Sequence, residues 1–248
     1  MQISLGLPDP REQSSLPVLK RVQAGIRRAR MLRGSPSRIR LPITAKILCQ
    51  IRSDLINSAH PQTALVWAIA CSAFFGFFRL GELLPESATA FNPQTNLSWG
   101  DVAVDSQQSP KMVRIHLKKS KCDQFGAGVD VILGRTGQIL CPVTALLTFI
   151  AVRGDSPGAF FLDSNACPVT KAWFVIQIRE SLNRVGLPQH QYAGHSFRIG
   201  AATTAALAGI EDSTIQTLGR WHSAAFLQYI RMPGERLAAL ASVLASSS

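Results

Sequence analysis

Tyr229 is one of two tyrosines in the chain and closes a C-terminal run rich in cations. In that run His195-Ser-Phe-Arg198 opens a helix of small residues, and Leu218-Gly-Arg-Trp221 precedes the tyrosine by eight residues, counted from the tryptophan. A phenol of pKa about 10 is only on the order of 0.1% ionised at neutral pH and attacks phosphodiesters poorly unaided. It needs cations around it. His195 and Arg198, three apart, share one helix face and can aim at one phosphate, with the partial positive charge of the helix N-terminus beside them. The plainer reading keeps Tyr229 as a half-buried aromatic packed with Phe226 and Ile230, and His-x-x-Arg alone is a loose pattern.

A second arginine stands in Phe77-Phe-Arg79-Leu-Gly-Glu82, at the end of an apolar run that begins at Ala64. Such an arginine is often a surface residue with a buried stem. Here Glu82, three residues on, shares its helix face and can hold the guanidinium in place, while Gly81 leaves room for a backbone to approach. Expelling an alkoxide also calls for a proton donor, and lysine suits that task. Met112-Val-Arg-Ile-His-Leu117 alternates like a half-buried strand and Val129-Asp-Val-Ile-Leu133 like its return, so Lys118, Lys119 and Lys121 fall at a hairpin tip. Basic tips commonly touch phosphates or only water.

In the order Arg79, Lys121, His195-x-x-Arg198, Trp221, Tyr229, these motifs make the chain resemble the catalytic domain of the tyrosine recombinase (phage integrase) family over about residues 40 to 231. Ser120-Lys-Cys-Asp-Gln-Phe-Gly together with Gly219-Arg-Trp221 resembles the versions carried by eukaryotic mobile elements. The resemblance implies a mainly helical (α+β) fold with a small antiparallel sheet, and breakage of DNA through a 3′-phosphotyrosyl intermediate on Tyr229. It implies catalytic roles for Arg79, Lys121, His195 and Arg198, support from Glu82, and no metal or cofactor. Family members place a His or Trp nine residues before the nucleophile, and that position here is Arg220, with Trp221 one residue late. Both stay candidates, Trp221 slightly preferred.

The remaining features bound this reading. The net charge is +11, with 26 Lys and Arg against 15 acidic residues, which suits double-stranded DNA and equally a ribosomal or anionic-membrane partner. Lys118, Lys119, Arg38 and Arg40 are the named phosphate contacts. Five dispersed cysteines without a C-x-x-C pair suggest reduced intracellular thiols, and no Cys/His or Asp/Glu cluster has metal-ligand spacing. The run from Ala64 to Phe78 reads as a buried helix, too short for a span, and no secretory signal is visible.

The expected organisation is a leader with the last helix of a DNA-clamping domain over 1–40, the catalytic domain over 41–232 and a tail helix over 233–248. In the tail, Leu237, Leu240 and Leu244 share a face that packs on its own domain or docks on a neighbouring protomer. The resemblance implies a homo-oligomer, a tetramer, on DNA, and nuclear placement in a eukaryotic host. Within the catalytic domain, helices are expected from Thr44 to Ser58 and from Gln62 to Leu84, a strand near Leu97 to Val104, and helices from Pro142 and Pro168. Three rivals remain: a DNA-binding remnant without the reaction, a type IB topoisomerase-like relaxing enzyme, and a basic RNA-binding protein with chance motif matches.

Overall fold

Thr44 caps the first helix as its position predicts, its hydroxyl accepting from the Ile47 amide, and α1 (Ala45–Asn57) buries Leu48, Ile51 and Leu55 along one stripe. The computed structural model describes residues 40–118 and 128–231, with Gly234 and Ala238 beyond them. The basic N-terminal segment with Arg38, the hairpin tip with Lys119 and Lys121, and the leucine face of the tail lie outside the described residues. All described residues belong to the unit that begins at Arg40.

The central helix α2 (Thr63–Phe75) is apolar all round and buries every residue from Leu65 to Phe74, as a helix enclosed by its own domain should. It packs against α4 (Pro142–Arg153) and α6 (His195–Leu207), while α1 packs against α5 (Lys171–Arg184). Arg184 ties α5 to α1 through two 2.9 Å bonds to Asp54.

The single helix expected from Gln62 to Leu84 is instead two. After the Gly76 cap the Phe77 amide returns to the Phe74 carbonyl and the Phe78 amide to the Ala73 carbonyl, with Phe77 in the left-handed region at φ +50. That pairing is a helix stop, and glycine is its usual occupant. Gly76 is needed for space, because a Cβ there would come within 2.2 Å of the Phe78 ring. The chain restarts as the short α3 (Leu80–Leu83), with Arg79 at its N-cap.

Three antiparallel strands, β1 (Val102–Val104), β2 (Met112–Leu117) and β3 (Val129–Gly134), form a sheet in the order β1-β2-β3. The alternation read in the sequence puts Val113, Ile115, Leu117 and Leu133 into the core. On the opposite face Asp130 meets His116 at 2.7 Å and Arg114 at 3.1 Å, and these two partners hold its carboxyl below the usual range. The strand expected from Leu97 is shorter than predicted, because Trp99–Asp101 forms a 3-10 turn ahead of β1. The helix expected from Pro168 starts at Lys171, where the Thr170 hydroxyl caps the Trp173 amide.

Helix α6 carries the site and is held from beneath. The amide of Leu41 donates to the Gln191 carbonyl and that of Ile43 to the Ser196 carbonyl, laying this segment across the helix. Gly200 makes the approach possible, since a Cβ there would sit 1.7 Å from the Ile43 carbonyl oxygen. Beyond α6, α7 (Asp212–Leu218) leads to a 3-10 turn over Ala224–Tyr229. The architecture is thus mainly helical with one small antiparallel sheet, the class expected from the sequence.

Candidate active site

Helix α7 stops the way α2 does. After the Gly219 cap the Arg220 amide donates to the Thr217 carbonyl and the Trp221 amide to the Gln216 carbonyl, with Arg220 at φ +55. The chain therefore builds two matching helix ends, each with a bulky residue in the left-handed region, where strain of order 1–3 kcal/mol is tolerated only when the surroundings fix it. A Cβ on Gly219 would stand 1.6 Å from the Trp221 indole, so the glycine lets that ring fold back over the helix end.

Arg198 joins the two ends. Its guanidinium donates to the Phe77 carbonyl after α2 and to the Gly219 carbonyl after α7. The residue is 0% exposed, and the partial negative charge at helix C-termini compensates a cation removed from water. Burial, followed by the neighbouring Arg79, pushes its pKa down to about 10, against the pull of Glu82, so it stays charged at neutral pH. Its guanidinium carbon lies 4.1 Å from the centroid of the Trp221 ring and 5.6 Å from that of Tyr229. The Arg198 Nε is buried without a hydrogen-bond partner.

Tyr229 lies at the end of its 3-10 turn with its ring 5.1 Å from that of Trp221. The turn is pinned to α6 by Thr203, whose hydroxyl donates to the Tyr229 carbonyl at 3.2 Å and accepts from the Arg231 amide at 3.0 Å. The other tyrosine, Tyr192, is 3% exposed, and burial raises its phenol pKa. The Tyr192 carbonyl accepts from Arg179, whereas it is the ring of Tyr229 that lies against the Arg198 guanidinium.

Arg79 caps α3 with both parts of Glu82: its amide donates to Oε2 and its guanidinium to Oε1, each at 2.9 Å. Glu82 thus holds the amide and the guanidinium of Arg79 at once. Arg79 is 21% exposed at its side chain and feels the Arg198 charge, so it forms the more open wall of the same cluster. His195 opens α6, one turn before Arg198, and is exposed where Arg198 is buried; the pair read as facing one phosphate is split by depth.

The two candidates ahead of Tyr229, Arg220 and Trp221, have different surroundings. Arg220 donates to Glu82 at 3.2 Å and to the Gly76 carbonyl at 2.9 Å. Trp221 lies over Arg198 and packs against Tyr229 at a 51° tilt, and its indole Nε1 is buried without a partner.

Two of the expected phosphate contacts are otherwise engaged. Lys118 turns inward, its ammonium 2.6 Å from Asp101 and 2.6 Å from the Pro93 carbonyl, because an acceptor cluster at the Trp99–Asp101 turn lies within reach. Arg40 donates to the His190 carbonyl at 2.8 Å on the surface. Lys121, Lys119 and Arg38 fall outside the described residues. Sequence reasoning missed Thr203 and the carbonyls of Phe77 and Gly219; the Thr203-Thr204 pair in the small-residue run of α6 was the available signal, and it did not say which hydroxyl faces the site. Among the described residues no group of His, Cys, Asp or Glu could hold a metal ion, and no helix is long and apolar enough to cross a membrane.

A helical domain with a small antiparallel sheet, whose helix ends gather arginines around a late tyrosine, is similar in sequence and fold to the catalytic domains of tyrosine recombinases. It is 25% identical over 214 residues to an integrase/recombinase XerD homologue of Selenomonas ruminantium, covering 82% of this chain and 57% of the relative. The chain thus spans little more than half of that curated relative. Among solved structures, the fold is similar to that of XerA recombinase (TM-score 0.59, 18% identity, 84% of this chain and 64% of that one). It is also similar to XerH recombinase in a post-cleavage complex with its difH substrate (TM-score 0.58, 15% identity, 82% and 52%). A lambda integrase dimer bound to a core site gives a TM-score of 0.55 at 16% identity over 78% of this chain and 48% of the other. No protein-family model matches the chain.

Proposed function

We propose that the chain breaks and rejoins double-stranded DNA through Tyr229. The observation that carries this reading is the packing of the Trp221 and Tyr229 rings against Arg198, with Arg79 completing the same electrostatic cluster. The Tyr229 oxygen attacks the scissile phosphorus, a 3′-phosphotyrosyl bond forms, and the 5′-oxygen leaves with a proton from Lys121. A 5′-hydroxyl of a second duplex reverses the step. Arg79, Arg198, His195 and the Trp221 indole N–H bind the non-bridging oxygens as their charge grows in the transition state, where loss of one donor costs on the order of 100- to 1000-fold in rate.

Because Trp221 and Tyr229 cover Arg198, phosphate entry requires the Tyr229 turn to swing away from the guanidinium. The solved neighbours include a lambda integrase dimer on a core site and a lambda integrase tetramer on a Holliday junction, and we extend to this chain a DNA partner and a homo-oligomer, a tetramer, on it. Nuclear placement in a eukaryotic host belongs to the same proposal.

The test is covalent trapping on a library of nicked duplexes, with wild type beside Tyr229→Phe. Protein-linked DNA in the wild type alone supports strand transfer, and joining of two duplexes separates recombination from relaxation of one. Salt-sensitive binding without any adduct would contradict the reaction and leave a DNA-binding protein.

A further inference from the structure

Arg220 occupies the position expected of a phosphate donor, yet its two outer nitrogens are directed elsewhere. One donates to the carbonyls of Gly76 at 2.9 Å and Leu218 at 3.3 Å, the other to the Phe77 carbonyl at 3.4 Å and to Glu82 Oε2 at 3.2 Å. The same carboxylate holds Arg79 through both of its oxygens. Glu82 is 7% exposed at its side chain, and Arg220 13%, so this is a nearly dry carboxylate between two guanidiniums. It sits on α3, a four-residue helix too short to fix its own geometry. Removing one cation from such a triad leaves the carboxylate undercompensated and free to turn toward the other.

We infer that Arg220 is a positioning residue, which orients Arg79 through Glu82 and does not bind the phosphate itself. The inference rests on the reading of the cluster as a phosphodiester-cleaving site. It divides the two neighbouring candidates: Trp221 lies against Arg198 and Tyr229 with a buried, unpaired indole N–H, and Arg220 sets the Arg79 guanidinium through Glu82. It also gives a reason for the left-handed backbone at Arg220. That conformation turns the side chain back across the end of α2, where it meets the Gly76 and Phe77 carbonyls and Glu82.

The experiment compares wild type, Arg220→Asn and Arg220→Lys in the full chain, asparagine being chosen because it tolerates the left-handed backbone. The first readout needs no DNA: the order of the Arg79 side-chain Nε–H group by nitrogen-15 NMR, assigned with Arg79→Lys. Disorder of Arg79 in Arg220→Asn, with part of the order restored in Arg220→Lys, is expected. The second is single-turnover cleavage. Arg220→Asn alone should slow it by about 10- to 100-fold, the scale of a misplaced catalytic group. In an Arg79→Ala background it should add less than about 2-fold, because the two act through one route.

An Arg79 group as ordered in Arg220→Asn as in wild type would overturn the inference, and so would losses that multiply. If Arg220→Asn does not fold, Arg220→Lys carries both comparisons, with smaller but same-sign effects. A wild-type chain that forms no Tyr229 adduct would sink the strand-breaking reading, while the NMR comparison would still decide the positioning.

Discussion

Arg198 has a full charge and no exposure to water, and what holds it is two carbonyls at the ends of two different helices. A lysine cannot reproduce the guanidinium's fork to both, so Arg198→Lys loses at least one of these buried charged hydrogen bonds, at a cost of about 1–3 kcal/mol. Thermal unfolding should register that loss, and single-turnover cleavage should fall on the order of 100- to 1000-fold; unchanged melting would contradict the bridging role. At this scale residue type and order made Arg79, Glu82, Arg198, Trp221 and Tyr229 legible, because few arrangements put a tyrosine in such company. Spacing could not tell which acceptor a long cation finds. Lys118 met Asp101 in place of an open hairpin face, and Arg220 met Glu82, through folds of chain that bring positions 17 and 138 residues away into contact.

At the scale of elements, the site depends on where helices stop. The apolar run that begins at Ala64 predicted a buried helix, but its end at Phe75 was hidden, since Gly76-Phe77 places a bulky side chain where a stop normally shows glycine. The helical spacing of Phe226 and Ile230 around Tyr229 points to helix, whereas the segment is a 3-10 turn held by Thr203 on α6. Thr203→Val removes both bonds at nearly constant volume. It should destabilise the turn by about 1–2 kcal/mol and slow adduct formation while leaving DNA affinity within a few-fold. Equal loss of affinity and rate would argue against a role confined to the tyrosine turn.

The N-terminus of α4 offers a pH test of the same kind. Burial pushes the Cys141 thiol up, but hydrogen bonds from Thr144 and Thr136 outweigh it and lower its pKa from 9.0 to about 6. The folded form then binds fewer protons than the unfolded one between those values. This contribution to stability is full above the ordinary thiol pKa and is lost as pH falls through about 6. The melting temperature of wild type relative to Cys141→Ala should therefore rise from about pH 6 to about pH 9, and a difference constant with pH would refute the thiolate cap.

For the whole molecule, the excess of cations makes DNA binding a counterion-release process. With about six to ten phosphates neutralised, affinity should fall roughly 1000-fold or more between about 50 and 200 mM salt, measured by fluorescence anisotropy. A nearly flat dependence would contradict a DNA partner for this surface. Composition pointed to a polyanionic partner and left its identity open, because +11 suits any polyanion equally. The fold class was legible too, since helical and strand periodicities are local, whereas the assembly of a carboxylate, three arginines and two aromatic rings from α3, α6 and the turn after α7 is a product of tertiary packing.

The most direct measurement is the residue that carries the DNA. Trapped complexes digested with nuclease and protease should yield, by tandem mass spectrometry, a nucleotide attached to Tyr229 and to no other side chain. A nucleotide on Tyr192 or on a serine, or no modified peptide from complexes that bind DNA, would contradict the account.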